Sequence, residues 1–127
     1  MNLKMIKSKT QENIIAIIKS MVNENVTVQC NYDLESEIVT VLLVEEQKRE
    51  ELIERTIIYN CGFNKEQGSL TVTGFARRYG YDAFGISLVT NEPVTVDEPF
   101  INGMKGAIYA GLNAPIEEDT PAPANAE

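Results

Sequence analysis

The distribution of apolar residues predicts an α+β fold: a four- to five-stranded antiparallel or mixed sheet with helices packed mainly on one face. Three observations carry this reading. An N-terminal stretch repeats its apolar residues at helical spacing, several central segments alternate with period two, and a final apolar stripe follows an acid-proline pair. In chain order the elements read α-β-β-α-β-β-α over a single domain, residues 1–114, and an acidic tail, residues 115–127, is expected to be disordered.

The first helix is expected over residues 8–23, where Ile14, Ile15, Ile17, Ile18, Met21 and Val22 share a stripe and Lys9, Gln11, Glu12 and Lys19 fall mostly elsewhere. "NVTVQCNY" then alternates Val26, Val28, Cys30 and Tyr32 against Thr27, Gln29 and Asn31, as a half-buried strand does. After the turn-like Asp33–Ser36, the run Glu37–Val44 is apolar on both faces and rich in β-branched residues, which fits a core strand.

Residues 45–61 read as a second helix. Glu45 and Glu46 favour a helix N-terminus, Glu45/Arg49 and Glu51/Arg55 stand at i,i+4 spacing, and Gly62 suits a stop. The β-branched residues near its end, Thr56 to Ile58, argue the other way.

Two more strands are expected at residues 69–75 and 84–90, with "GFARRYGYDAFG", residues 74–85, as the hairpin connection between them. A short edge strand at 93–96 would tolerate Pro93, which has no N–H to give a ladder. The last helix should start near Asp97–Pro99, with an acid as cap and proline in the first turn. Its face of Gly103, Ala107 and Gly111 at four-residue intervals calls for close packing, because interior glycines cost a helix about 1 kcal/mol each. Beyond it, "IEEDTPAPANAE" lacks aromatics and is rich in acids, proline and alanine, the composition of a disordered tail that aids solubility.

At 127 residues and 43% hydrophobic content the chain is long enough to bury a core without a metal or disulfide. Its formal charge of −8 opposes general binding to nucleic acid, which relies on neutralising phosphates. Four of those charges, Glu117, Glu118, Asp119 and Glu127, lie in the tail, so the domain itself is mildly acidic. No run approaches the roughly 20 apolar residues of a membrane span. Cys30 and Cys61 form no CxxC motif and read as free thiols, consistent with a cytoplasmic location.

With no histidine, Ser-His-Asp and Cys-His relays and histidine metal sites are excluded. The aspartates Asp33, Asp82, Asp97 and Asp119 fall in expected turns, caps or tail, where short acids serve backbone geometry. No glycine motif has nucleotide-loop spacing. The sequence therefore points away from an enzyme and names no cofactor or metal.

Two groups of residues remain. Arg77 and Arg78 with Tyr79 and Tyr81 are candidates for an anionic ligand, because guanidinium forks grip phosphate and rings stack on bases. The bland alternative is a solvated turn with its arginines paired to nearby acids. Gly103, Ala107 and Gly111 are candidates for an interface. By subtraction, the expected function is that of a non-catalytic binding or assembly protein: an adaptor, a complex component or a protein inhibitor, and a homo-oligomer. The alternative is a nucleotide or single-stranded nucleic-acid binder that uses the Arg77/Arg78 aromatic segment.

Overall fold

The structure, a computed structural model, describes residues 2–81 and 83–115. Helix α1 spans Leu3–Lys19 and is followed by five strands, β1 (Val26–Asp33), β2 (Ile38–Arg49), β3 (Leu52–Asn64), β4 (Ser69–Tyr81) and β5 (Ser87–Val94). Helix α2, Glu98–Asn113, comes last. The strands form one sheet in the order β1-β2-β3-β4-β5, and every neighbouring pair is antiparallel, so the sheet is a simple meander. The α+β class and a five-stranded sheet are as expected.

The middle helix expected at residues 45–61 does not form, and the element order is α-β-β-β-β-β-α. Residues 38–49 and 52–64 instead make two long neighbouring strands, joined at Glu50 and Glu51. The physical reason lies in burial. As a strand, β3 places Ile57, Tyr59, Cys61 and Phe63 on one face, opposite Glu45, Leu43, Val41 and Val39 of β2. Cys61 and Phe63 are thereby buried completely. The i,i+4 ion pairs that favoured a helix contribute only a few tenths of a kcal/mol each, far less than burying such side chains.

Helix α1 begins five residues before its expected start because Asn2 caps it, its Oδ1 accepting from the Met5 N–H at 2.8 Å. It ends at Lys19, so Met21 and Val22 belong to the connection to β1. Helix α2 starts where expected: Oδ1 of Asp97 accepts the Phe100 N–H at 2.9 Å, and Pro99 occupies the first turn.

Both helices lie on the same face of the sheet. The core joins Ile14 and Ile18 of α1 and Met104, Ala107 and Ile108 of α2 to Val28, Tyr32, Val39, Val41, Leu43, Cys61 and Phe63. Two aromatic contacts pin α2 to β3: Tyr59 with Phe100, centroids 4.7 Å apart, and Phe63 edge-on to Tyr109 at 4.9 Å.

The helices run antiparallel in close contact. A Cβ placed on Gly111 would lie 2.3 Å from Cγ1 and 2.9 Å from Cα of Ile14, and one on Gly103 would lie 3.3 Å from Cε of Met21. Ala107, between them, is buried. The small-residue face is thus occupied by α1 and the connection that follows it in the same chain.

The opposite face of the sheet carries Thr40, Leu42 and Val44 of β2, Ile58 and Asn60 of β3, and Thr73, Phe75, Arg77 and Tyr79 of β4, by the strand registers. No element among the described residues covers it. The run Ile38–Val44 is accordingly divided, with Val39, Val41 and Leu43 in the core and Ile38, Leu42 and Val44 on the open side. The acidic tail falls, after Pro115, outside the described residues.

Candidate functional site: the forked end of the sheet

The strands outrun the helices. Pairing between β3 and β4 ends at Arg55 and Arg78. β2 and β3 continue together to Arg49 and Leu52, and β4 and β5 continue to Tyr81 and Ser87. The far end of the sheet is therefore forked into two hairpin arms. A register shift between Gln47 and Lys48 falls where the arms part, and such an irregularity bends its strand and increases local twist.

Between the arms lies a cleft of about 350 Å³, walled by Leu52, Ile53, Tyr79 and Tyr81, with Arg49 and Glu54 among its polar groups. This volume reaches the range of roughly 300–1,000 Å³ usual for ligand sites. A concavity under Met21, Val22 and Phe100 holds about 230 Å³ and falls below it, whereas more open hollows beside Gln47 (about 500 Å³) and Leu42 (about 350 Å³) reach it but lack aromatic walls.

The arms are unusually apolar on the outside. Leu52 is 57% exposed, Tyr81 65%, Leu88 50% and Val89 52%, and Phe84 and Ile86 are also exposed. Lone exposed apolar side chains are ordinary, but these gather on the two arms at one end of the sheet and lie on both of its faces, which makes the arms the candidate surface for a partner. An ion pair spans the first arm, Arg49 to Glu54 at 3.6 Å, and because both side chains are well exposed it adds little stability.

The arginine segment belongs to this region, though not as a hairpin tip. Residues 74–81 continue β4, and the connection to β5 lies between Tyr81 and Ser87. As neighbours in a strand, Arg77 and Arg78 point to opposite faces. Arg77 is on the open face, and its Nε donates to Oδ1 of Asn91 at 3.3 Å. Arg78 is on the helix side, beyond the helices, where its Nε donates to Oε1 of Glu92. That hydrogen bond, with the guanidinium charge, holds the Glu92 carboxyl below the usual glutamate range. The structure does not bring the two arginines into one fork. It does align Phe75, Arg77 and Tyr79 on the open face, and it sets Tyr79 and Tyr81 against the cleft.

Cys30 and Cys61 face Val41 from its two sides, so β2 separates them. At a strand spacing of about 4.8 Å they are roughly 10 Å apart, too far for a disulfide. Both are free, and burial pushes each thiol up to about 11, which leaves them protonated and unreactive at neutral pH. Among the described residues no group of three or more cysteines, aspartates or glutamates is placed to hold a metal ion. No helix among them is long and apolar enough to cross a membrane.

Sequence reasoning found Tyr79 and Tyr81 but missed Leu52, Ile53, Leu88 and Val89. The first two were hidden in an expected helix. The others alternated as an ordinary strand, and nothing in the local pattern told that no other described element would cover either face. No protein-family model, no curated protein and no solved structure matches this chain.

Proposed function

We propose that this protein is a non-catalytic binding or assembly protein, active as a homo-oligomer in a reducing cytoplasm, and that it works through the forked end of its sheet. The observation that carries the reading is the set of exposed apolar side chains on the two arms, Leu52, Tyr81, Leu88 and Val89, beside a cleft with aromatic walls. The helix-covered side supports no such role, because its apolar residues are spent on the core.

Light scattering at tens of micromolar tests the assembly reading. The expected mass is a multiple of the 14.1 kDa chain, and a variant with Leu52, Tyr81 and Leu88 all replaced by serine is expected to stay folded and return to monomer. A monomeric wild type sinks the reading.

A second reading has its own observation. Phe75, Arg77 and Tyr79 stand at alternate positions on the open face of β4, two rings flanking a guanidinium, a set of groups on which bases of a single strand can stack. The engagement of Arg77 by Asn91 and the acidity of the chain weigh against it. Saturable, salt-sensitive binding of a short oligonucleotide, lost in the Arg77→Ala variant, would put it first.

A further inference from the structure

The two edges of the sheet are finished differently. At β1 the side chain of Gln11 in α1 reaches over the edge and takes the Tyr32 N–H at 2.8 Å. At β5 no hydrogen bond among the described residues caps the outer edge, and five consecutive residues, Ser87 to Asn91, are exposed. Open edges of this kind are templates for another strand, and proteins that need to prevent pairing place charge or proline along them. Here the five residues Ser87–Asn91 carry no charge, and the one charge of the strand, Glu92, is matched by Arg78 of the same sheet.

We propose that a second copy of this chain covers this edge, β5 pairing antiparallel with β5 about a two-fold axis through Val89, so that two five-stranded sheets become one of ten. The inference rests on the assembly reading above and specifies its interface. Three features favour this occupant.

The first is electrostatic. Copies of a chain with a formal charge of −8 repel, and they approach best where neither presents net charge, which is true of Ser87–Asn91. A basic partner would gain nothing there.

The second is register. Pro93 has no N–H, so the ladder to β4 is unbroken when residue 93 turns its nitrogen outward, and the alternation then turns the N–H and C=O of Asn91, Val89 and Ser87 outward as well. A two-fold axis on Val89 sets Val89 against Val89 and Ser87 against Asn91, which uses all three sets of groups. Pro93 then falls opposite Gly85, past the end of the paired segment.

The third is packing. In this register Leu88 lies beside Thr90 and the two valines meet, so Leu88 and Val89 of each copy are flanked by the other. Isologous contacts of this kind are the commonest way for identical chains to associate.

The experiment combines mass and cross-linking on the full chain. Wild type is expected to sediment as a dimer at tens of micromolar. Val89→Asp, at an exposed position, is expected to keep the fold by circular dichroism and to raise the dissociation constant by roughly tenfold or more, because the two new charges meet across the axis. Val89→Cys is expected to form a covalent dimer under mild oxidation, since directly opposed hydrogen-bonded residues have Cα atoms about 5.5 Å apart. Thr73→Cys, exposed in the middle of the open face, serves as the control and is expected to cross-link much more slowly. A wild-type oligomer that survives Val89→Asp, or a Val89→Cys variant that cross-links no faster than the control, overturns the edge interface and leaves assembly by another surface. A monomeric wild type overturns both readings.

Discussion

At the scale of single residues, two glycines of α2 in similar sequence surroundings have opposite duties. A methyl group at Gly111 would press on the backbone of Ile14, which cannot yield without moving α1, whereas a methyl group at Gly106 meets nothing within 4 Å. Gly111→Ala should therefore destabilise by about 1–3 kcal/mol, overpacking outweighing the helix-propensity gain. Gly106→Ala should stabilise by about 0.5–1 kcal/mol. Thermal unfolding of the two variants checks the pair, and equal shifts would show that the helices are not in close contact. The thiol of Cys61 gives a second prediction. Its folded value of about 11 stands above the ordinary 9.0, so the unfolded chain loses this proton first as pH rises. The stability it supports is complete below pH 9 and is lost on the way to pH 11. Urea titrations of wild type and Cys61→Ala across that window should show the steeper decline in wild type.

At the scale of elements, the β2–β3 hairpin is the part that local reasoning mistook. Glutamates, lysine and arginine over residues 45–55 are good helix formers, and propensity over so short a window is a weak prior. The alternation of Ile57, Tyr59, Cys61 and Phe63 was legible, and it ran through the supposed stop at Gly62. What could not be read was the partner: a strand this long needs neighbours on both sides, and β2 and β4 supply them only in the folded molecule. The turn itself is strained, since Glu50 sits at φ 59°, in the left-handed region that glycine occupies freely. Glu50→Gly is expected to stabilise the hairpin by about 0.5–1 kcal/mol, read as a higher urea midpoint with an unchanged slope. A lower midpoint would mean that the loss of the glutamate side chain outweighs the relief.

At the scale of the whole molecule, the helices divide the sheet into a covered half and a free end. Val39, Val41, Cys61, Phe63, Ile14 and Ile108 are fully buried, whereas beyond Arg55 and Arg78 each arm rests on a single hairpin partner. Native-state hydrogen exchange should follow this division, with amides of Val39–Leu43 and Tyr59–Phe63 opening only with global unfolding and those of Leu52–Glu54 and Tyr79–Tyr81 exchanging by local opening. Uniform protection along β3 would show that the arms are covered. Slow exchange confined to Ser87–Asn91 at high protein concentration, lost on dilution, would locate that cover at the β5 edge.

The sequence by itself determined the α+β class, the N-terminal and C-terminal helices, the Asp97 cap, the demand of Gly103, Ala107 and Gly111 for a close neighbour, and the exclusion of histidine chemistry. These are local properties: spacing within one element, a cap three residues from its donor, or the presence of a residue type. Only the tertiary structure decided what each surface meets. It assigned the small-residue face to α1 and the connection that follows it in the same chain, turned residues 45–61 from helix into parts of two strands, and sent Arg77 and Arg78 to opposite sides of β4. Among the described residues it also left the forked end and the β5 edge without cover. Burial depends on which segments, distant along the chain, come to lie side by side, and periodicity within any one of them carries no record of that choice.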